Sequence, residues 1–298
     1  MLRVVFLLCV ICGFSAPARA GELEEDFVTL LKEKAYLKVD MIACEPDIRA
    51  YVRAAEAGGG VNEHRALVKR GCLDPYTRVH LKGSSRGDSA YARYVEDLKA
   101  HPVVAWRTAT FLYLNIRFFS NKTYDLVLQE LADVGSRAII IDMRNNPGGL
   151  VKAFVETASL FAPYHGVPIG TEKTVRGEIR LYSKVGVITP RPIAILINKK
   201  TGSSAELFVA TLKFWYGPLV LLIGEKTYGK GAVQTPFSEE GGDVTHLITT
   251  AIFLVGVPGN HVPIQGVGIS PDTWIVGGKE KLSLKDDPAV SYAIGLFQ

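Results

Sequence analysis

The sequence predicts a mixed α/β fold built on a mostly parallel sheet, with a small helical region ahead of it. Two patterns carry this reading. Short apolar runs without alternation, Ala138-Ile139-Ile140-Ile141, Pro192 to Ile197 and Leu219 to Ile223, read as strands covered on both faces. Between them lie stretches with helical spacing, and strands alternating with helices make crossover units. Size agrees: 298 residues, 48% hydrophobic and 21% charged, are enough to bury a large core, and they exclude disorder, collagen and coiled coil.

The elements follow in chain order. Met1 to Ala20 has a basic residue at Arg3, an apolar run from Val4 to Phe14 and the small-residue exit Ala18-Arg19-Ala20, the pattern of a secretory signal peptide cut before Gly21. That run is too short to span a bilayer, which needs about 20 residues, and no later segment is apolar enough for a membrane span. A secreted, exported protein is expected, with a bacterial periplasm as the compartment. Cys9 and Cys12 leave with the leader, so Cys44 and Cys72 remain in an oxidising compartment and are expected to form a disulfide. There are 34 Lys and Arg against 30 Asp and Glu, and without Arg3 and Arg19 the excess is +2, which does not describe a nucleic-acid binder.

Glu22 to about Lys38 has apolar residues at helical spacing and acidic residues in its first turn. A second helix is expected from Pro46 to the glycines at 58–60, and a third from Asn62 to Lys69. Leu73-Asp74-Pro75-Tyr76-Thr77 is a turn, Lys82 to Asp88 a polar stretch, and Ser89 to Ala100 a helix. Thr108 to Phe118 is β-branched and aromatic, hence a strand. Helices are expected over Tyr124 to Val134, Val151 to Phe161, Ser204 to Trp215 and Asp287 to Phe297, with strands from Ala232 to Val276. The division expected is 1–20 leader, 21–102 helical region and 103–298 core.

Three segments offer chemistry. In Thr201-Gly202-Ser203-Ser204-Ala205-Glu206, Ser203 and Glu206 have capping-box spacing, in which both side chains satisfy free N–H groups of the first helical turn. The same turn would also present a serine at the carboxyl edge of the sheet, with backbone N–H groups behind it. The second segment is Gly224-Glu225-Lys226-Thr227-Tyr228-Gly229-Lys230-Gly231-Ala232-Val233-Gln234. It nearly matches a phosphate loop, but Gly231 replaces the hydroxyl residue and a strand follows where that motif needs a helix. A glycine-rich turn with a solvated lysine is the plain reading. A neutral Lys230 would instead serve as a general base, with the Gln234 carboxamide on the same strand face holding its amine uncharged. The third, Asp142-Met143-Arg144-Asn145-Asn146-Pro147-Gly148-Gly149, is an ordinary strand-to-helix turn or one whose N–H groups point into a crevice.

Together these segments resemble the carboxyl-terminal processing peptidases, or tail-specific proteases. That family has Asp-Leu-Arg-Asn-Asn-Pro-Gly-Gly, Ser-Ala-Ser-Glu and Gly-Lys-Gly-x-x-Gln in the same order. Gly266-Val267-Gly268-Ile269-Ser270-Pro271-Asp272 and Leu73-Asp74-Pro75-Tyr76 are similar to two further family motifs. The resemblance implies a crotonase-like core and serine endopeptidase activity on unfolded or tail-exposed polypeptides, through an acyl-enzyme and with no metal or cofactor. It implies Ser203 as nucleophile, Lys230 as general base, Gln234 as its orienter, and an oxyanion hole from Ser204 N–H with Gly148 or Gly149 N–H.

Two departures stand out. Only about 30 residues lie between the Leu-Asp-Pro turn and the strand near Thr108, too few for the PDZ domain usual there, so an adaptor or homo-oligomer is expected to take over substrate delivery. The stretch from Glu206 to Lys230 is two residues longer than in the family. The alternative function is a catalytically silent binding or scaffold protein on the same core, for which the Ser203, Lys230 and Gln234 trio has no use. The six histidines form no local pattern, and Arg86-Gly87-Asp88 is read as part of a polar loop.

Overall fold

The computed structural model describes residues 21–36, 40–81, 88–184, 186, 191–238, 244–276 and 286–297. The expected leader, Met1–Ala20, and residues 82–87 of the expected polar stretch from Lys82 to Asp88 lie outside them. The chain divides into two compact units, the first formed by the N-terminal helices with residues 236–238 and 244–248, the second by the rest.

In the first unit, α1 (Glu22–Lys34) buries Leu23, Phe27, Leu30 and Leu31 and ends earlier than its periodicity suggests. Helix α2 (Met41–Glu56) starts five residues before Pro46, because Asp40 Oδ1 accepts the Ile42 and Ala43 N–H groups at 3.1 and 3.2 Å. Pro46 therefore lies inside the helix, where its missing N–H leaves the Ile42 carbonyl without its usual partner. Helix α3 (Val61–Lys69) follows Gly60, whose φ of +90° reverses the chain close against Ala55. Cys44 of α2 and Cys72 are bonded, with sulfurs 2.03 Å apart. Asp74 shapes the expected turn by accepting from Tyr76 N and Thr77 N. The next residues form β1 (Arg78–Leu81), a strand the sequence reading passed over, antiparallel to Val244–Leu247.

The chain continues, in the second unit save for residues 236–238 and 244–248, through α4 (Asp88–Ala100), β2 (Val103–Arg107), β3 (Phe111–Ile116), α5 (Thr123–Ala132), β4 (Ala138–Asp142), α6 (Val151–Ser159), β5 (Pro168–Thr174), β6 (Gly177–Tyr182), β7 (Ile193–Ile197), α7 (Ser204–Tyr216), β8 (Val220–Gly224), β9 (Ala232–Ser238), β10 (Val244–Val257), β11 (Asn260–Val262), β12 (Thr273–Trp274) and α8 (Pro288–Gly295). One sheet has the order β12-β8-β7-β4-β3-β2, parallel except for β2. The mixed α/β fold with a mostly parallel sheet is therefore as the sequence predicts. Ile139 and Ile141, with Ile193, Ile195 and Ile197, face a core shared with α5, α6 and α7. Ile140, Ala194 and Leu196 face the other way, against Ala289, Val290 and Ala293 of α8. Both faces are covered, which is why these runs do not alternate.

Three further strands differ from expectation. The single strand over Thr108 to Phe118 is the second half of a hairpin, with β2 paired antiparallel to β3 from Val103↔Ile116 to Arg107↔Leu112. Strands β5 and β6 form another hairpin, and β5 pairs with β10 over Ala251–Val255. Strand β6 is largely exposed, so it has no apolar run for a sequence reader to find.

Candidate active site

Strands β4, β7 and β8 are parallel neighbours in matched register, with Asp142 opposite Leu196 and Ile197 opposite Gly224. Their carboxyl ends therefore release the three chemically suggestive segments at one edge of the sheet. Gly224 is obligatory at that edge: its φ is +129°, and a Cβ would sit 2.1 Å from Ile197 O. The three turns are tied to one another. Thr201 Oγ1 donates to Met143 O (2.9 Å), Gly202 N to Asn146 O (2.9 Å) and Tyr228 N to Thr201 O (3.0 Å).

Ser203 occupies the tip of the turn between β7 and α7 with φ +56° and ψ −128°. A non-glycine residue at positive φ marks a constrained position, and this one lifts the serine out of the helical path that begins at Ser204. Gly148 packs directly behind it, so a Cβ there would lie 2.7 Å from Ser203 Cβ. Glu206 is fully buried in the first turn of α7. Its Oε2 accepts from Ser203 N (3.0 Å), the half of the capping box expected of Glu206.

The same carboxylate does more than cap. Oε2 also accepts from Lys230 N (2.8 Å), while Oε1 accepts from Gly229 N (2.6 Å) and from Thr227 Oγ1. One oxygen atom thus anchors the main chain of both Ser203 and Lys230. Four donors satisfy the buried carboxylate, which would otherwise be costly to desolvate. Sequence reasoning gave Glu206 a capping role alone; its spacing held no signal for the contact across to the β8 turn.

Lys230 Nζ donates to Gln234 Oε1 at 2.6 Å, the contact expected from their shared strand face. The lysine turn is braced from behind. Gly231 N and Ala232 N donate to Gln265 Oε1 (2.8 and 2.9 Å), Gly266 N donates to Gly229 O (2.9 Å), and Ile269 N donates to Thr227 Oγ1 (2.7 Å). The Gly266-Val267-Gly268-Ile269 segment thus packs on the lysine turn, and a Cβ on Gly268 would strike Thr227 O at 2.6 Å. Between Glu206 and Lys230 the chain runs as the rest of α7 and a 3₁₀ turn, Gly217–Leu219, before β8 begins. Trp215 and Tyr216 in it are held by hydrogen bonds to Pro168 O (2.7 Å) and Phe161 O (2.6 Å).

The two glycines of the β4 turn differ. Gly148 N donates to Asn146 Oδ1 at 2.8 Å and is already used. Gly149 forms a bridge with Phe119 in which Phe119 N bonds Gly148 O and Leu150 N bonds Phe119 O, so the Gly149 N–H points the opposite way. Among the described residues neither Gly149 N nor Ser204 N has a protein acceptor, and Ser204 Oγ donates to Gly149 O at 2.9 Å. These two turns thus hold two uncommitted N–H donors on residues in contact, with Ser204 at the positive end of α7.

Asp142, at the head of the first segment, binds Tyr113 OH (2.7 Å) and the Arg144 guanidinium (2.6 Å to Nη2), and Arg144 Nη1 reaches Asp287 at 2.7 Å. Burial works against the Arg144 charge, but the two carboxylates outweigh it and raise its pKa; burial and Asp142 together push Tyr113 up. Asp142 and Arg144 therefore fasten the turn to α8. Among the described residues no cluster of His, Cys, Asp and Glu is arranged to hold a metal, and no helix is long and apolar enough to cross a membrane.

Residues 110–275 match the family model described as peptidase family S41. The chain is 32% identical over 191 residues to a carboxyl-terminal-processing protease of Synechocystis sp., covering 61% of this chain and 39% of that protein. It is 29% identical over 169 residues to a chloroplastic carboxyl-terminal-processing peptidase 1 of Arabidopsis thaliana, covering 55% and 33%. Each alignment thus spans well under half of the relative's length. Among solved structures, a lipoprotein from Streptococcus agalactiae is similar with a TM-score of 0.65 at 17% identity, over 96% of this chain and 99% of that one. The photosystem II D1 C-terminal processing protease is similar with a TM-score of 0.55 at 18% identity, over 87% and 94%. At these identities the likeness is one of fold.

Proposed function

Because the chain belongs to peptidase family S41, we propose that it is a serine endopeptidase that hydrolyses peptide bonds of unfolded or tail-exposed polypeptides with Ser203 and Lys230. The observation that carries this reading is the Glu206 carboxylate, which accepts the main-chain N–H groups of both residues on one oxygen. A buried side chain that registers a serine turn against a lysine turn has little purpose in a protein that only binds.

In the proposed reaction neutral Lys230 takes the Ser203 hydroxyl proton as Oγ attacks the peptide carbonyl. The amine's ordinary pKa near 10.4 leaves roughly one in a few thousand neutral at pH 7, and it is this neutral form that acts as the base. Gln234 Oε1, 2.6 Å from Nζ, orients the amine without placing a carboxylate on it. Developing negative charge on the carbonyl oxygen meets Ser204 N–H and a glycine N–H of the β4 turn; because Gly148 N–H already donates to Asn146, we assign that role to Gly149 rather than Gly148. Lys230 then protonates the leaving amine; water gives a proton to the same, now neutral, lysine as it attacks the acyl carbonyl, and the lysine returns that proton to Ser203 Oγ as the ester C–O bond breaks.

The reading extends to Met1–Ala20 as an export leader, to a helical region at 21–102 ahead of a core at 103–298, and to delivery of substrate by an adaptor or a second copy. An exported setting suits the Cys44–Cys72 bond. A gel assay of wild type, Ser203→Ala and Lys230→Ala against casein tests the chemistry. Fragments from wild type alone, with circular dichroism unchanged, are the expected result; cleavage by Ser203→Ala would refute it. No cleavage by any form, even with co-purified partners, would favour the silent binding protein.

A further inference from the structure

The two donors assigned to the oxyanion hole lie on different turns: Gly149 on the one leaving β4, Ser204 on the one leaving β7. Their spacing depends on how firmly these turns are registered. Buried ties join them at Thr201 and Gly202. At the exposed end the tie is made by two asparagine side chains. Asn198, the first residue after β7, accepts from Asn145 N on Oδ1 (3.0 Å) and donates from Nδ2 to Asn145 Oδ1 (3.0 Å). The same Oδ1 accepts from Lys200 N at 3.1 Å. The orientation of the carboxamide is fixed, because a flipped amide would face two N–H groups with its own donors.

Asn145 is one of two described non-glycine residues with positive φ, +61°; the other is Ser203. Asparagine tolerates that conformation better than most residues, yet it is still disfavoured unless its surroundings hold it. Asn198 supplies the hold, on both the main chain and the side chain of Asn145. From Asn145 the chain continues through Asn146, whose Oδ1 fixes Gly148 N, to Gly149. The clasp therefore sits at the root of the segment that aims the Gly149 N–H.

We propose that Asn198 is a positioning residue of the oxyanion hole, acting through Asn145 to keep the Gly149 N–H at a fixed separation from the Ser204 N–H. The proposal rests on the Ser203–Lys230 reading above. A displacement on the order of 1 Å in such a donor is enough to cost one to two factors of ten in rate, and the loss falls on the transition state, where the oxyanion exists, rather than on ground-state binding. Asn198 is partly solvent-exposed, so shortening it opens no core cavity.

The test compares wild type, Asn198→Ala and Asn198→Asp on a fluorogenic peptide, with a peptide boronic acid as tetrahedral mimic and thermal unfolding alongside. For Asn198→Ala we expect kcat lowered roughly 10- to 100-fold, KM within about twofold, and boronate affinity weakened by about the same factor as kcat. Asn198→Asp keeps the acceptor for the Asn145 and Lys200 N–H groups and sets a second acceptor against Asn145 Oδ1, which the Asn145 carboxamide relieves by turning its Nδ2 toward it, so its kcat falls between the other two. Unchanged kcat in Asn198→Ala, or a loss carried by KM alone with boronate affinity intact, would overturn the proposal. So would an equal loss in both variants that tracks a fall in melting temperature. Failure of the underlying reading looks different: wild type itself would neither cleave the peptide nor bind the boronate.

Discussion

At the scale of single residues, Glu206 connects most of the site. Its two oxygens accept from Ser203 N, Gly229 N, Lys230 N and Thr227 Oγ1, all facing a fully buried carboxylate. Glu206→Gln preserves shape but turns one acceptor into a donor facing an N–H. It should destabilise the protein by about 2–4 kcal/mol and abolish cleavage, and denaturant unfolding against Glu206→Asp and wild type measures it. Gly148→Ala should be as damaging to activity and milder for stability: φ is +106°, and the new Cβ would press on Ser203 Cβ and Ser204 N. At least a 100-fold loss in kcat/KM is expected, read with the same peptide substrate. The candidates Ser203, Lys230 and Gln234 are proposed from sequence because each stands in a short segment whose residue types have few uses together. Asn198, Asn145, Gln265 and Thr227 are not, because their roles arise from contacts between turns distant in sequence.

At the scale of elements, legibility followed burial. The β4, β7 and β8 runs announced themselves by lying between two apolar layers, as did α7 with its continuous buried face. Strand β6 exposes most of its residues, and β2 has only partly covered or exposed positions, so neither had a pattern to read. Pro46 misled in a different way: proline suits a helix start, but the Asp40 cap, six residues before it, sets the start instead. Strand β10 also carries a titratable group with a testable consequence. His246 is buried against Phe27 with ring centroids 5.6 Å apart, and burial lowers its pKa to about 4, partly offset by Asp26. Its ordinary value is 6.5, so between these values the unfolded chain binds the proton and the folded one does not. The His246 contribution is therefore level above pH 6.5, and stability falls as pH drops toward 4, by about 3 kcal/mol in all. Unfolding of wild type and His246→Phe between pH 7 and 5 should diverge, the variant losing less stability.

At the scale of the whole molecule, the family match covers residues 110–275, within the second unit but for the short stretch of β9 and β10 that clusters with the first. The first unit has its own covalent tie, the Cys44–Cys72 bond across a separation of 28 residues. Breaking it should cost about 3 kcal/mol in the chain-entropy view, so a lowered melting transition after reduction is expected. Whether a partner or a second copy delivers substrate follows from what the purified chain does alone, and cleavage of casein without additions would make a partner unnecessary. The central claim is narrower: Lys230 activates Ser203. Its most direct measurement is the rate at which a fluorophosphonate labels Ser203, located by peptide mass spectrometry, in wild type and Lys230→Ala across pH 6 to 10. The account predicts labelling at Ser203 in wild type that rises with pH as one group loses its proton, and a loss of at least about 100-fold in Lys230→Ala with folding intact. Equal labelling rates in the two proteins, or a label on another serine, would contradict it.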